Sequence, residues 1–174
     1  MSTRSDGTDL LLGEWACLGV LATGPAHGFA VAARLRPEGD VGRVWSLSRP
    51  LTYRSLDQLG RRGLVRAVAE EHGVAGGSRT ILAITRSGRT RFGTWVTSPT
   101  AHLRDVRSEL LLKLVLGEQS GIDLGPMLIA QRSLVAEMTA RLDARSLAGG
   151  DVVSRWRVEH AHAVLRFLDA IIET

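Results

Sequence analysis

The 174-residue chain holds one cysteine (Cys17), one tyrosine (Tyr53) and one lysine (Lys113). A single thiol closes no disulfide within the chain and builds no cysteine zinc site. Aromatic residues make up only 5%, so the core has to rely on Leu, Val and Ala. No run is long and apolar enough to span a bilayer. The opening "MSTRSDGTDLLLGEWACLGVLATGPA" is interrupted by Asp6, Asp9 and Glu14, so it lacks the basic-then-apolar order of a secretory signal. A cytoplasmic protein is expected. Chemistry-bearing motifs are equally scarce. "GVAGGS" lacks the lysine and the following helix of a phosphate loop. No Ser/His/Asp set has a recognisable local context. His160 and His162 are two apart, whereas zinc-binding helices space histidines by four. Cys17 reads as a small core residue and His27 as a structural hydrogen-bonding group. Neither an enzyme nor a metal or cofactor protein is expected.

What is present is globular: 44% hydrophobic and 23% charged residues, with net charge +4. The charge is uneven. Residues 1–98 carry 13 arginines and 8 acidic residues, whereas residues 99–174 carry 9 basic and 10 acidic residues. A basic first half suits a polyanionic partner; an arginine-rich solvated surface would look the same.

Hydrophobic spacing organises the chain. Residues 9–23 place Leu11, Trp15, Leu18 and Ala22 at helical intervals, "GPAHG" at 24–28 is a turn, and 29–36 read as a second short helix. A third helix runs from its N-cap Ser48 to about Arg62, with Pro50 in its first turn and Gly63 just beyond its end. Residues 64–71 and 79–85 form a hairpin around the glycine-rich tip "HGVAGGS", and Thr85 caps a further helix holding Phe92, Trp95 and Val96. The second half is helical throughout. "LRDVRSELLLKLVLG" is apolar nearly all round in its "LLLKLVL" stretch; 127–147 carries a stripe of Leu128, Val135, Met138 and Leu142; and the last helix, capped by Asp151, carries Trp156, Ala163, Phe167 and Ile171 on one face, with Leu165, Leu168 and Ile172 widening the stripe.

Helix, helix, helix, hairpin is the order of a winged helix-turn-helix, whose third helix enters the DNA major groove. On a helical wheel of 48–62, Thr52, Leu56, Leu59 and Gly63 share the inner side, and Leu51, Arg54, Asp57, Gln58 and Arg61 lie opposite. Arginine forks onto guanine, glutamine pairs with adenine, and leucine can meet a thymine methyl. The expected DNA contacts are therefore Ser48, Arg49, Leu51, Tyr53, Arg54, Gln58 and Arg61 on the helix, with Ser78 and Arg79 on the wing. The competing reading is a winged-helix module that binds protein and merely solvates its basic face.

Three stretches carry a family resemblance: "LGVLATGPAHGFAVAARL", "SRPLTYRSLDQLGRRGLV" and "SRTILAITRSGRTRFGTWV". Gly24-Pro25 with His27-Gly28, Tyr53 followed by Leu56 and Leu59, Gly63-Leu64, and Thr85 with Gly88 resemble the PadR family of transcriptional regulators, in the branch with a larger C-terminal helical domain. Pro50, Thr52 and Leu82 depart from the family's usual residues. The resemblance implies a mainly α fold with a small β-hairpin: a winged helix-turn-helix over 9–98, then a C-terminal helical dimerisation domain over 99–174. It also implies a homodimeric repressor of double-stranded DNA, released by a small-molecule ligand. Trp15, Trp95 and Trp156 are the candidates for a pocket holding a small aromatic effector. The wide apolar surfaces of "ELLLKLVL" and of the last helix point independently to a second subunit as cover.

Overall fold

The computed structural model describes residues 10–72, 78–147 and 149–173. The wing-tip glycines Gly76 and Gly77 lie outside the described residues. The protein is mainly helical, with a small antiparallel sheet. Two compact units divide the chain: residues 1–96 with 112–122, and residues 97–111 with 123–174. The division is not a single cut, because the segment 112–122 groups with the first unit across the intervening 97–111.

In the first unit, helix α1 (Leu12–Ala22) is buried from Glu14 to Leu21, which suits a sequence with almost no polar side. Glu14, itself buried, accepts the Leu11 N–H at 2.8 Å and so caps the helix. Strand β1 (Ala26–His27) falls where a simple turn is expected. Two residues are too few for an alternating pattern, so only its partner reveals it. His27 then caps helix α2 (Gly28–Arg34) by accepting the Ala30 N–H on Nδ1 at 3.0 Å.

Helix α3 (Arg49–Arg61) has Ser48 at its N-cap position, but the Ser48 hydroxyl makes no cap bond. Instead the Ser48 carbonyl accepts the Thr52 N–H and the Thr52 hydroxyl, at 2.9 and 3.1 Å. That back-bond satisfies the Thr52 hydroxyl at a fully buried position, where an apolar side chain would be the simpler choice. Thr52, Leu56 and Leu59 are the buried face of α3, as the wheel requires. Gly63 ends the helix with φ +68°, a left-handed conformation that favours glycine.

Strands β2 (Val65–His72) and β3 (Ser78–Ile84) form the expected hairpin, with a register shift between Ala67 and Ala69. Strand β1 adds to the other edge of β3, pairing Ala26 with Leu82, so the sheet has three strands in the order β1-β3-β2. Helix α4 (Arg86–Val96) follows, with the Gly88 N–H bonded to the Thr85 hydroxyl at 3.0 Å. Leu112 and Leu116 of helix α5 (Leu111–Gln119) are fully buried. Leu116 reaches so close to Gly19 that a Cβ there would lie 2.4 Å from its Cδ1. At the C-terminal end of α2, Arg34 bonds the Asp40 carboxylate at 2.7 Å, Thr23 at 2.9 Å and Gln119 at 2.6 Å.

The second unit does not open with the single helix expected. Residues Leu103–Asp105 form a 3-10 turn and Val106–Leu110 a π-helical segment. Helices α6 (Gly125–Leu147) and α7 (Val152–Ile172) pair antiparallel, linked by Arg132 to Asp169 and by His162 to Asp143. Asp151 caps α7 as expected, accepting the Ser154 N–H at 2.8 Å. The inner faces differ from the stripes read in the sequence. In α6 the fully buried positions are Met127, Gln131, Val135 and Thr139, while Leu128, Met138 and Leu142 are half-buried. In α7 the buried positions are Ala161, Val164 and Leu168, and Trp156 is 64% exposed. Gln131 can sit inside because both ends of its amide bond the Thr100 backbone, at 2.6 and 3.1 Å. No described helix is long and apolar enough to cross a membrane.

Candidate nucleic-acid interface

Burying Thr52, Leu56 and Leu59 leaves Arg49, Leu51, Tyr53, Arg54 and Arg61 of α3 exposed, together with Ser48 just before it. Gln58 is half-buried. Between α3 and the sheet runs a groove of about 830 Å³. Arg49, Tyr53 and Arg61 line it from α3, and Ser78 and Arg79 line it from β3. Ser48, Leu51, Arg54 and Gln58 are not among its lining residues. The residues singled out in the sequence thus fall into a groove set and an outer-face set.

Gly28 brings the start of α2 into this arrangement. A Cβ there would lie 2.8 Å from Tyr53 Cε1, so only glycine lets the ring lie against the helix. Phe29, next in the chain and 44% exposed, also lines the groove. Arg49 Cζ stands 5.4 Å from the centroid of Phe29 and 5.7 Å from that of Tyr53; Arg36 Cζ stands 5.6 Å from Phe29. These are cation–π distances. Sequence reasoning missed His27, Phe29, Arg36 and Arg66 as members of this surface. The only signal in the sequence was an aromatic residue, Phe29, at the start of a short helix.

The surface is cationic but not purely so. Arg61 pairs with Asp57 at 3.0 Å, an exposed contact worth little in water. Glu71 faces Arg79 across the strand pair, and the Ser78 hydroxyl lies 3.4 Å from Glu70. Arg36, Arg49, Arg54 and Arg79 form no ion pair with a described carboxylate.

Two of the three candidate tryptophans meet in the first unit. Trp15 and Trp95 stack on each other, with centroids 4.7 Å apart and planes within 5°. Lys113 Nζ lies 5.2 Å from the Trp95 ring. Trp156 belongs to the second unit and packs beside His160 at 4.9 Å. Cys17 is fully buried, and burial pushes its thiol pKa up to about 12. His162 bonds Asp143 at 3.0 Å. Among the described residues no group of three His, Cys, Asp or Glu side chains is placed to hold a metal.

Three helices, a wing built on an antiparallel sheet, and an arginine-bearing outer face on the third helix define a winged helix-turn-helix protein with a C-terminal helical region. Over most of its length the chain is similar to solved structures of PadR and PadR-like transcriptional regulators. One is Bacillus subtilis PadR in complex with operator DNA, at 17% identity and TM-score 0.48, covering 91% of this chain and 97% of that one. Another is the PadR-like regulator BC1756 of Bacillus cereus, at 20% identity and TM-score 0.40, covering 92% and 96%. The Vibrio cholerae virulence activator AphA is similar at 25% identity and TM-score 0.43, covering 92% of each chain. No protein-family model matches the chain, and no curated protein matches it.

Proposed function

We propose that this chain is a PadR-type transcriptional regulator that binds specific double-stranded DNA through α3 and the β2–β3 wing. The observation that carries the reading is the unpaired state, toward described carboxylates, of Arg49 and Arg54 on a helix held down by only Thr52, Leu56 and Leu59, and of Arg79 on the neighbouring β3. Buried on one side and cationic on the other, α3 can place arginine forks against base edges while the wing meets the adjacent backbone.

The working form in this proposal is a homodimeric repressor in the cytoplasm. Its support is the exposed apolar surface of α7: Val152 at 81%, Trp156 at 64% and Phe167 at 36%, with Ile129 of α6 at 61%. A twofold axis would set two recognition helices about 34–36 Å apart, one turn of DNA. A flat effector acting at Trp15 and Trp95 would have to part a stacked pair of rings, so release by a small molecule requires a rearrangement there. A gel shift against the DNA immediately upstream of the chain's own gene tests the reading. Specific retardation that weakens steeply with salt supports it. Binding to no duplex at low salt would leave the protein-interaction module as the reading.

A further inference from the structure

Phe29 draws two cations to one ring. Arg36 comes from the loop after α2 and Arg49 from the first turn of α3, and their guanidinium carbons lie 5.6 and 5.4 Å from its centroid. Arg49 is shared with Tyr53 at 5.7 Å. Each contact is attractive by itself, since the ring face is electron-rich. Together they gather like charges, which repel, and neither arginine forms an ion pair with a described carboxylate. An anion held between them would turn that repulsion into two charge-assisted bonds. Phe29 and Tyr53 are exposed at 44% and 42%, so the assembly is open to a large partner.

We propose that Arg36, Phe29, Arg49 and Tyr53 form a clamp for one backbone phosphate of duplex DNA, in which Phe29 is a positioning residue that holds both guanidiniums in place before the DNA arrives. The inference rests on the DNA-binding reading above and adds to it a contact made by α2 and the loop behind it. Fixing two long side chains in advance removes ordering cost at the moment of binding. The contact carries no base information, so it should act on any sequence.

The test uses the full chain and a random-sequence duplex of about 30 base pairs, roughly three helical turns, with affinity measured across a salt series. The Arg36→Gln/Arg49→Gln double variant should flatten the salt slope by about 0.9, the value for one phosphate, and each single variant by part of that. Phe29→Leu should weaken binding roughly fivefold to tenfold at unchanged melting temperature, and Phe29→Tyr should keep wild-type affinity. In the Arg36→Gln/Arg49→Gln double variant, Phe29→Leu should have no further effect. Wild-type affinity in Phe29→Leu, or an equal loss in the double-variant background, overturns the positioning role. Should Phe29→Leu fail to fold, an unchanged slope in Arg36→Gln overturns the clamp. Arg54→Ala and Arg79→Glu separate the two levels of the argument. If these weaken binding while the clamp variants do not, the clamp falls and the DNA reading stands. If the wild-type chain binds no duplex, both fall.

Discussion

The Thr85 hydroxyl donates to the Gly63 carbonyl at 2.8 Å, joining the end of the wing to the end of α3. The same oxygen accepts the Gly88 N–H at 3.0 Å, and the Thr85 N–H bonds the Leu64 carbonyl at 2.9 Å. One side chain therefore fixes α3, β3 and α4 at a common point. Thr85→Val keeps the shape and removes both hydroxyl bonds, so a loss of about 1–2 kcal/mol is expected in denaturant unfolding. Gly88→Ala should cost more, above roughly 2 kcal/mol, because the new Cβ would lie 2.2 Å from the Leu64 carbonyl oxygen. Wild-type stability in Gly88→Ala would show that the α3–α4 junction yields easily.

Gln131 is the buried polar centre of the second unit. Gln131→Leu leaves the buried Thr100 N–H and C=O without their side-chain partners. A loss of roughly 2–3 kcal/mol is expected despite the gain in apolarity. A neutral result in urea unfolding would mean that water or backbone movement satisfies Thr100.

Cys17 should be inert in the folded protein. Its thiol pKa is raised to about 12, so it remains protonated at neutral pH and is also sterically covered. Alkylation should be absent in native buffer and rapid in denaturant. The raised pKa contributes stability that is fully present below the unfolded thiol value of about 8.5 and is lost as pH rises from there toward the folded value. Cys17→Ala should unfold less steeply with pH between about 9 and 11. Rapid native alkylation would exclude the packing seen here.

The two sets of interface arginines should separate in binding assays. Arg54→Ala should weaken specific binding by roughly 1–3 kcal/mol if it reads a base, and should weaken all sequences alike if it meets phosphate. Arg61→Ala should cost less, because Asp57 already engages that side chain at 3.0 Å. Arg79→Glu should lower affinity without moving the melting temperature. An Arg61→Ala defect exceeding that of Arg54→Ala would reverse the assignment of outer face and groove.

The exposed face of α7 gives the oligomer test. Trp156→Glu with Phe167→Glu should yield a folded monomer by light scattering, since neither residue is buried in the chain itself. A wild-type chain that is already monomeric at micromolar concentration would remove the dimer and the half-site spacing together.

Local signals made the first unit legible. Helix α3 announced itself through Pro50, the spacing of Thr52, Leu56 and Leu59, and Gly63; the hairpin through β-prone runs around glycines; and the α4 cap through Thr85. Strand β1 was hidden because its existence depends on Leu82, far along the chain. The inner face of α6 was misread because Gln131 and Thr139 occupy buried positions that apolar periodicity assigns to carbon. Gln131 is satisfied by Thr100 and Thr139 by the Val135 carbonyl, and neither bond leaves a mark in hydropathy. In α7 the largest apolar side chain, Trp156, dominated the pattern, yet the buried line runs through the smaller Ala161 and Val164. For the candidate interface, arginine spacing singled out exposed positions on α3 and β3, but the Phe29 cluster joins three separate segments and appears only in three dimensions.

The threading of the chain sets an order of events during synthesis. The first unit takes residues 1–96 and then 112–122, with the first piece of the second unit in between. A ribosome that has released residue 96 has therefore delivered every proposed DNA contact, yet not Leu112 and Leu116, the core side chains of α5. At 5–20 residues per second the missing helix emerges about one to five seconds later. Through that interval Gly19 lacks its Leu116 neighbour and Trp95 its Lys113, and a chain cut near residue 98 would hold them in that state permanently. A piece meant to carry the proposed DNA contacts on a complete first unit should therefore extend to residue 122, carrying with it a segment that belongs to the other unit.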